Sequence, residues 1–222
     1  MILSLLPNVR WDKMYDATIE TIYMTLIASL CVFILGLIIG LVLFLTSPTQ
    51  LLENKWINGI LSAFVNIFRS IPFVILVILL LPFTKWLVGT MLGPNAAMPA
   101  LIIGAAPFYG RLVEIAMREI DKGVIEASVA MGASIWTIIR KVLIPESLPA
   151  LISGITVTTI SLVGYTAMAG VIGAGGLGNL AYLDGFQRSR MDVVFVATII
   201  ILIIVFIIQQ VGDILTKKID KR

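Results

Sequence analysis

Apolar positions dominate this chain in five long blocks, at about 21–46, 57–84, 96–117, 148–170 and 193–211, with short polar stretches between them. A membrane-crossing helix needs about 20 mostly apolar residues, so the pattern predicts an all-α integral membrane protein with five transmembrane helices. Pro72 and Pro82 fall in the second block, and Pro99, Gly104, Pro107 and Gly110 in the third. Proline removes a backbone donor, and the freed groups must find partners in neighbouring helices. These two spans are therefore expected to be interrupted and packed inside a bundle.

The stretch between the third and fourth blocks, 111–145, is too long for a simple turn. Val124, Ile125, Ala127, Ser128 and Met131 give one helical face, and Gly132 is a stop signal. A second short helix is expected at 136–143, before Pro145 opens the fourth span. The loop then reads as helix, glycine turn, helix. Ala127, Ser128, Ala130 and Gly132 keep its surface shallow, so another protein can approach closely, and Glu126 adds one directed charge to an apolar patch.

Composition adds exclusions. The chain is 59% hydrophobic and 13% charged over 222 residues, against about 25% charged for soluble domains. There is no histidine and a single cysteine, Cys31, so histidine-based acid–base chemistry and an internal disulfide are both excluded. Arg10, Asp12, Lys13 and Asp16 near the start leave no cleavable-signal pattern, and insertion is expected to rest on the spans themselves. No internal repeat is visible.

Five spans place the termini on opposite sides, and Lys and Arg set the direction. A cytoplasmic C-terminus puts Lys55, Arg111, Arg118, Lys122, Arg140, Lys141, Lys217, Lys218, Lys221 and Arg222 inside. It leaves Arg10, Lys13, Lys85, Arg188 and Arg190 outside. Ten against five favours an external N-terminus and a cytoplasmic 111–145 loop.

An interfacial hairpin lying on the membrane is the plainest reading of that loop. A pattern displaces it. Glu126-Ala127-Ser128, three residues, Gly132, nine residues, then Val142-Leu143-Ile144-Pro145 resembles the cytoplasmic signature of ABC importer permeases, with Ser128, Val142 and Ile144 as mild departures. Further blocks resemble the methionine branch of that family: Asn66 to Pro72, Gly104 to Phe108, Val163 to Gly170, and Gly175-Gly176-Leu177-Gly178. Permeases for phosphonates and quaternary amines share the last block.

The resemblance implies a single permease domain over 1–222, with a cytoplasmic coupling helix between the third and fourth spans. It implies a translocation path for methionine, D or L or both, in a bacterial plasma membrane. Glu126, Ala127, Ser128, Gly132 and Pro145 would couple to an ATPase. The implied assembly is a homodimer of this chain in lipid, two ATP-binding subunits and an external substrate-binding lipoprotein, with no nucleic acid. The chain itself would be no enzyme and hold no cofactor or metal, ATP and Mg being bound by the partner, in keeping with the absence of a Walker motif.

Two polar faces recur at helical spacing: Asn58, Ser62, Asn66 and Arg69 or Ser70 in the second span, and Gly154, Thr158, Ser161, Tyr165 and Met168 in the fourth. Polar groups at membrane depth normally face the bundle interior. Arg69 reads as a buried partner for carbonyls or a snorkelling group. Tyr165 and Met168, with Ser161, are candidates for the pathway and its gate, because a thioether beside an aromatic makes a soft, adaptable surface.

Gly173 to Gly178 fits G-x-G-x-x-G but follows an apolar span, not a strand, so it reads as a tight turn rather than a dinucleotide site. Gly36 and Gly40 form a G-x-x-x-G that suits packing within the subunit or dimerisation equally. Glu114 and Arg118 read as a local i, i+4 ion pair. Permeation of another small solute is the neighbouring alternative. A stand-alone carrier or channel would call for intramembrane carboxylates, whereas Glu20, Glu114, Glu146 and Asp192 all read as lying at span ends.

Overall fold

The computed structural model describes residues 6–220. Lys221 and Arg222, counted with the cytoplasmic charges, and Met1–Leu5, where a signal pattern was not expected, lie outside the described residues. Among the described residues every regular element is helical.

The first helix, α1 (Trp11–Thr46), ends where the sequence pattern does and begins ten residues sooner. The second block becomes two helices, α2 (Lys55–Ser70) and α3 (Phe73–Val88), bent by 109°. Pro72 explains the break. The residue before a proline is pushed out of the helical region, and Ile71 is extended at φ −77°, ψ 124°. The Pro72 carbonyl then accepts from Ile75 and Leu76 and starts α3.

The expected interruption of the third span does not occur. α4 (Pro94–Arg118) runs unbroken through Pro99 and Pro107. An interior proline costs about 3 kcal/mol. Here the helix is clamped between α1 and α7, and Ala97, Ala100, Leu101, Ala105, Tyr109 and Val113 are all buried along it. Packing on two sides offsets the missing bonds.

α5 (Lys122–Ala130) and α6 (Ile135–Ile138) form the loop hairpin. Pro145 starts no separate span, because α6 passes through a π-helical turn at Ile139–Leu143 straight into α7 (Ile144–Val171). The wider turn lets the Ile144 N–H reach the Ile139 carbonyl, so the register shifts just before a residue that cannot donate. A short α8 (Gly176–Leu180), a π-helical turn at Ala181–Phe186 and α9 (Met191–Ile219) complete the chain.

Four helical stretches are long and apolar enough to cross a membrane: Trp11–Thr46, Pro94–Arg118, Ile135–Val171 and Met191–Ile219. The bent α2–α3 pair raises the number to five if it forms one span. The protein is thus a multi-pass membrane protein.

The G-x-x-x-G of α1 packs within the subunit. A Cβ on Gly36 would lie 2.6 Å from the Tyr109 ring, and one on Gly40 would strike Gly110 and Val113. Tyr109 is fully buried, packs tilted on Phe33 and donates to the Leu151 carbonyl at 3.2 Å. A single aromatic thereby ties α1, α4 and α7 together, with Gly154 leaving room for it on α7.

Candidate functional site

The hairpin is built by local rules. Asp121 caps α5 by accepting from the Gly123 N–H at 2.6 Å. Gly132 ends it at φ +78°, the left-handed region that favours glycine. Its N–H bonds the Val129 carbonyl and the Ala133 N–H bonds the Ser128 carbonyl, which completes a Schellman stop. Ser134 then caps α6 by accepting from the Thr137 N–H.

The two sides of the hairpin differ. Ile125 and Ser128 are buried, and Ile125, Ile138 and Ile139 join the main apolar core. Val124, Glu126, Ala127, Val129, Met131 and Trp136 are exposed, Met131 by 79% and Trp136 by 72%. A groove of about 440 Å³ runs between α5 and the segment after α1, lined by Thr49, Gln50, Leu51, Lys122, Ile125 and Glu126 among others. Of the residues expected to couple, Glu126, Ala127, Ser128 and Gly132 cluster here. Pro145 is exposed and lies farther along the α6–α7 rod. The sequence reading missed Thr49–Leu51; its only signal is the Ser-Pro-Thr turn that ends the first apolar block.

Glu114 is more than a surface pair. Its carboxylate is 2% exposed and binds Arg111 at 2.6 Å and Arg118 at 2.8 Å. Both arginines are more than a third exposed, so solvent screens the pair, but the buried carboxylate still ties two side chains together at the end of α4 that leads into the hairpin.

At the other end of α7 the structure separates the gate candidates. Tyr165 is half-buried and stacks on Phe73, with ring centroids 4.3 Å apart and planes 5° from parallel. Met168 is 45% exposed and Ser161 partly so, its hydroxyl donating to the Val157 carbonyl. Thr158 is fully buried and Gly154 packs on Tyr109, so the lower part of this stripe serves intramolecular packing.

The glycine-rich turn behaves as expected of a tight turn. Gly173, Gly175 and Gly176 have φ +98°, +83° and +77°. Glu20 accepts from the Gly176 N–H at 2.6 Å and Thr21 from the Leu177 N–H at 2.9 Å. With α1 starting at Trp11, Glu20 stands inside this helix rather than at its end. Beyond the turn, Asp184 pairs with Lys13 at 2.9 Å and Arg188 at 3.1 Å. The bond from Lys13, helped by the nearby arginines, holds its carboxyl below the usual carboxylate range.

Of the two expectations for Arg69, a buried partner for carbonyls or a snorkelling group, the first is not met. It is exposed, and its guanidinium lies 5.9 Å from the centre of the Phe108 ring.

Comparison with known proteins places this geometry. A family profile described as "Binding-protein-dependent transport system inner membrane component" matches residues 36–222. The chain is 65% identical over 216 residues to the methionine import system permease protein MetP of Bacillus subtilis (strain 168), covering 97% of each. It is 48% identical over 212 residues to a probable D-methionine transport system permease protein MetI of Pasteurella multocida (strain Pm70), covering 96% of this chain and 98% of the relative. Among solved structures, a native crystal form of the inward-facing MetNI methionine ABC transporter superposes with a TM-score of 0.93 at 44% identity, covering 94% of this chain and 97% of that one.

Proposed function

This chain belongs to the family of binding-protein-dependent transport system inner membrane components, and from that premise we propose that it is the membrane-spanning permease subunit of an ATP-driven methionine importer. The observation that carries the mechanism is the two-sided hairpin: α5 bolted to the core through Ile125, its outer face exposed and apolar around Glu126.

In this reading ATP is hydrolysed on a separate subunit, and α5 is the coupling helix that the subunit grips. The likeness to the MetNI transporter supports a dimer of this chain with two ATP-binding subunits. An external binding protein would deliver substrate. The whole chain acts as one permease domain with five spans, the bent α2–α3 pair counting as one. The N-terminus faces outward and the hairpin faces the cytoplasm.

The force path follows from the continuous rod Ile135–Val171. At about 1.5 Å per residue it reaches about 45 Å from α6 to the level of Tyr165. A push on the hairpin therefore moves the helix that carries Ser161, Tyr165 and Met168. These three would form the pathway and its gate, closing against water yet yielding to a thioether. A ligand of the permease shifts its equilibrium only by differential affinity for the two states, so the ATP-bound ATPase must fit one hairpin spacing better than the other.

Reconstitution tests the proposal. Vesicles holding this chain and its ATP-binding partner should take up methionine only with ATP and the external binding protein. Uptake of a phosphonate or quaternary amine in place of methionine would move the assignment to a neighbouring branch. Uptake with no ATPase present would make the chain a carrier in its own right.

A further inference from the structure

The α2–α3 bend opens a cavity of about 260 Å³ lined by Phe68, Arg69, Phe73, Gly104, Phe108 and Tyr165, among others. It is lined by residues of the helices that carry the apolar blocks. Gly104 is ten residues from the start of α4 and Tyr165 six from the end of α7, or about 15 and 9 Å from those ends at 1.5 Å per residue.

Three features of this cavity point to one ligand chemistry. First, Arg69 has no carboxylate and no hydrogen-bond partner among the described residues; its contact is the Phe108 ring. A guanidinium offers five donors in a fork that matches a carboxylate, and an unanswered cation at membrane depth marks a functional site. Second, the walls are aromatic, and thioether sulfur packs favourably on ring edges. The floor is held open by Gly104, where a Cβ would press on Leu76 and Phe73 at 3.1 and 3.3 Å. Third, Pro72 and Pro107 supply no N–H to the carbonyls of Phe68 and Ile103 four residues back. Phe68 lines the cavity and Ile103 adjoins Gly104. Those oxygens can accept from an ammonium.

We propose that this cavity is a station for the amino acid in transit, with Arg69 on its α-carboxylate, the freed carbonyls on its ammonium, and the aromatic walls around its side chain. This rests on the methionine-import reading above. The stacked Phe73–Tyr165 pair joins the station to the gate helix, so movement of α7 reshapes the cavity and releases its occupant.

The test uses the permease–ATPase complex in lipid nanodiscs without a binding protein, and a diazirine analogue of methionine as photoprobe. Adducts are expected on Phe68, Phe73, Phe108 or Tyr165. Excess methionine should remove them, and methionine amide, which lacks the carboxylate, should not. Arg69→Gln should cut labelling at least tenfold in assembled complexes, and Arg69→Lys should fall between. If the glutamine variant fails to assemble, undiminished labelling of the lysine variant overturns the proposal. So do full labelling of Arg69→Gln, equal competition by the amide, or adducts confined to other helices. Failure of the wild-type complex to import methionine in vesicles would instead remove the functional reading.

Discussion

Gly132→Ala is the sharpest probe of the hairpin. The residue sits at φ +78°, and a Cβ added there would meet nothing within 4 Å, so no clash contributes and the whole effect is backbone strain. A left-handed conformation costs a non-glycine residue about 1–2 kcal/mol. That energy is released if the Schellman stop opens, so the fraction of hairpins shaped for docking falls by at most about 5- to 30-fold. Apparent affinity for the ATPase falls by the same factor when only the shaped hairpin binds. Asparagine visits this region readily, so Gly132→Asn should stay within about twofold of the parent. The turn lies outside the apolar blocks, and abundance in the membrane should be unchanged for both. The assay measures co-purification with the ATPase and the ATP hydrolysed per methionine imported in vesicles. Alanine and asparagine variants that behave alike would refute the backbone argument. Alanine at the parental coupling ratio would refute the role of the turn.

Four further outcomes are expected. Tyr165→Ala with Met168→Ala should assemble but leak, seen as methionine efflux from loaded vesicles or faster ATP hydrolysis without binding protein; assembled complexes with unchanged uptake and no leak would remove both residues from the pathway. Gly178→Ala should lower abundance sharply, because its Cβ would enter the Ala167 backbone, whereas Gly164→Ala, with open space, should be neutral; equal thermal stability in detergent would contradict this. The folded-state carboxyl of Asp184 titrates below its unfolded value, so its stabilisation is present above the ordinary carboxylate range and is lost as pH falls through the lowered value; Asp184→Asn should flatten the acid limb of a melting-temperature profile. In a Cys31→Ala background, Ser134→Cys should react with an impermeant thiol reagent only from the cytoplasmic side and Ser189→Cys only from outside; the reverse pattern would invert the orientation.

Some of this protein was settled by the sequence alone, and the reason is locality. Burial of apolar surface in lipid is additive along a segment, so four apolar blocks fall on helices fit to span a membrane and the second falls on the α2–α3 pair. The break at Pro72 and the stop at Gly132 follow from what those residues do to their own backbone, and both were legible. The signature around Glu126 was visible as spacing. Tertiary contacts decided the rest. Pro99 and Pro107 are the same residue type as Pro72, yet α4 stays whole because α1 and α7 enclose it. Gly36 and Gly40 could have faced another copy; they face Tyr109 and Val113, residues about seventy positions away. Pro145 opens no separate span, since a π-helical turn absorbs its missing donor and fuses half of the hairpin to α7. Glu20 finds its role only through Gly176, 156 residues on. Arg69 looks like a packing residue in one dimension; the folded chain sets it on Phe108 at the edge of a cavity. Each of these turns on which surfaces meet across the bundle, and helix periodicity fixes a face without naming its neighbour.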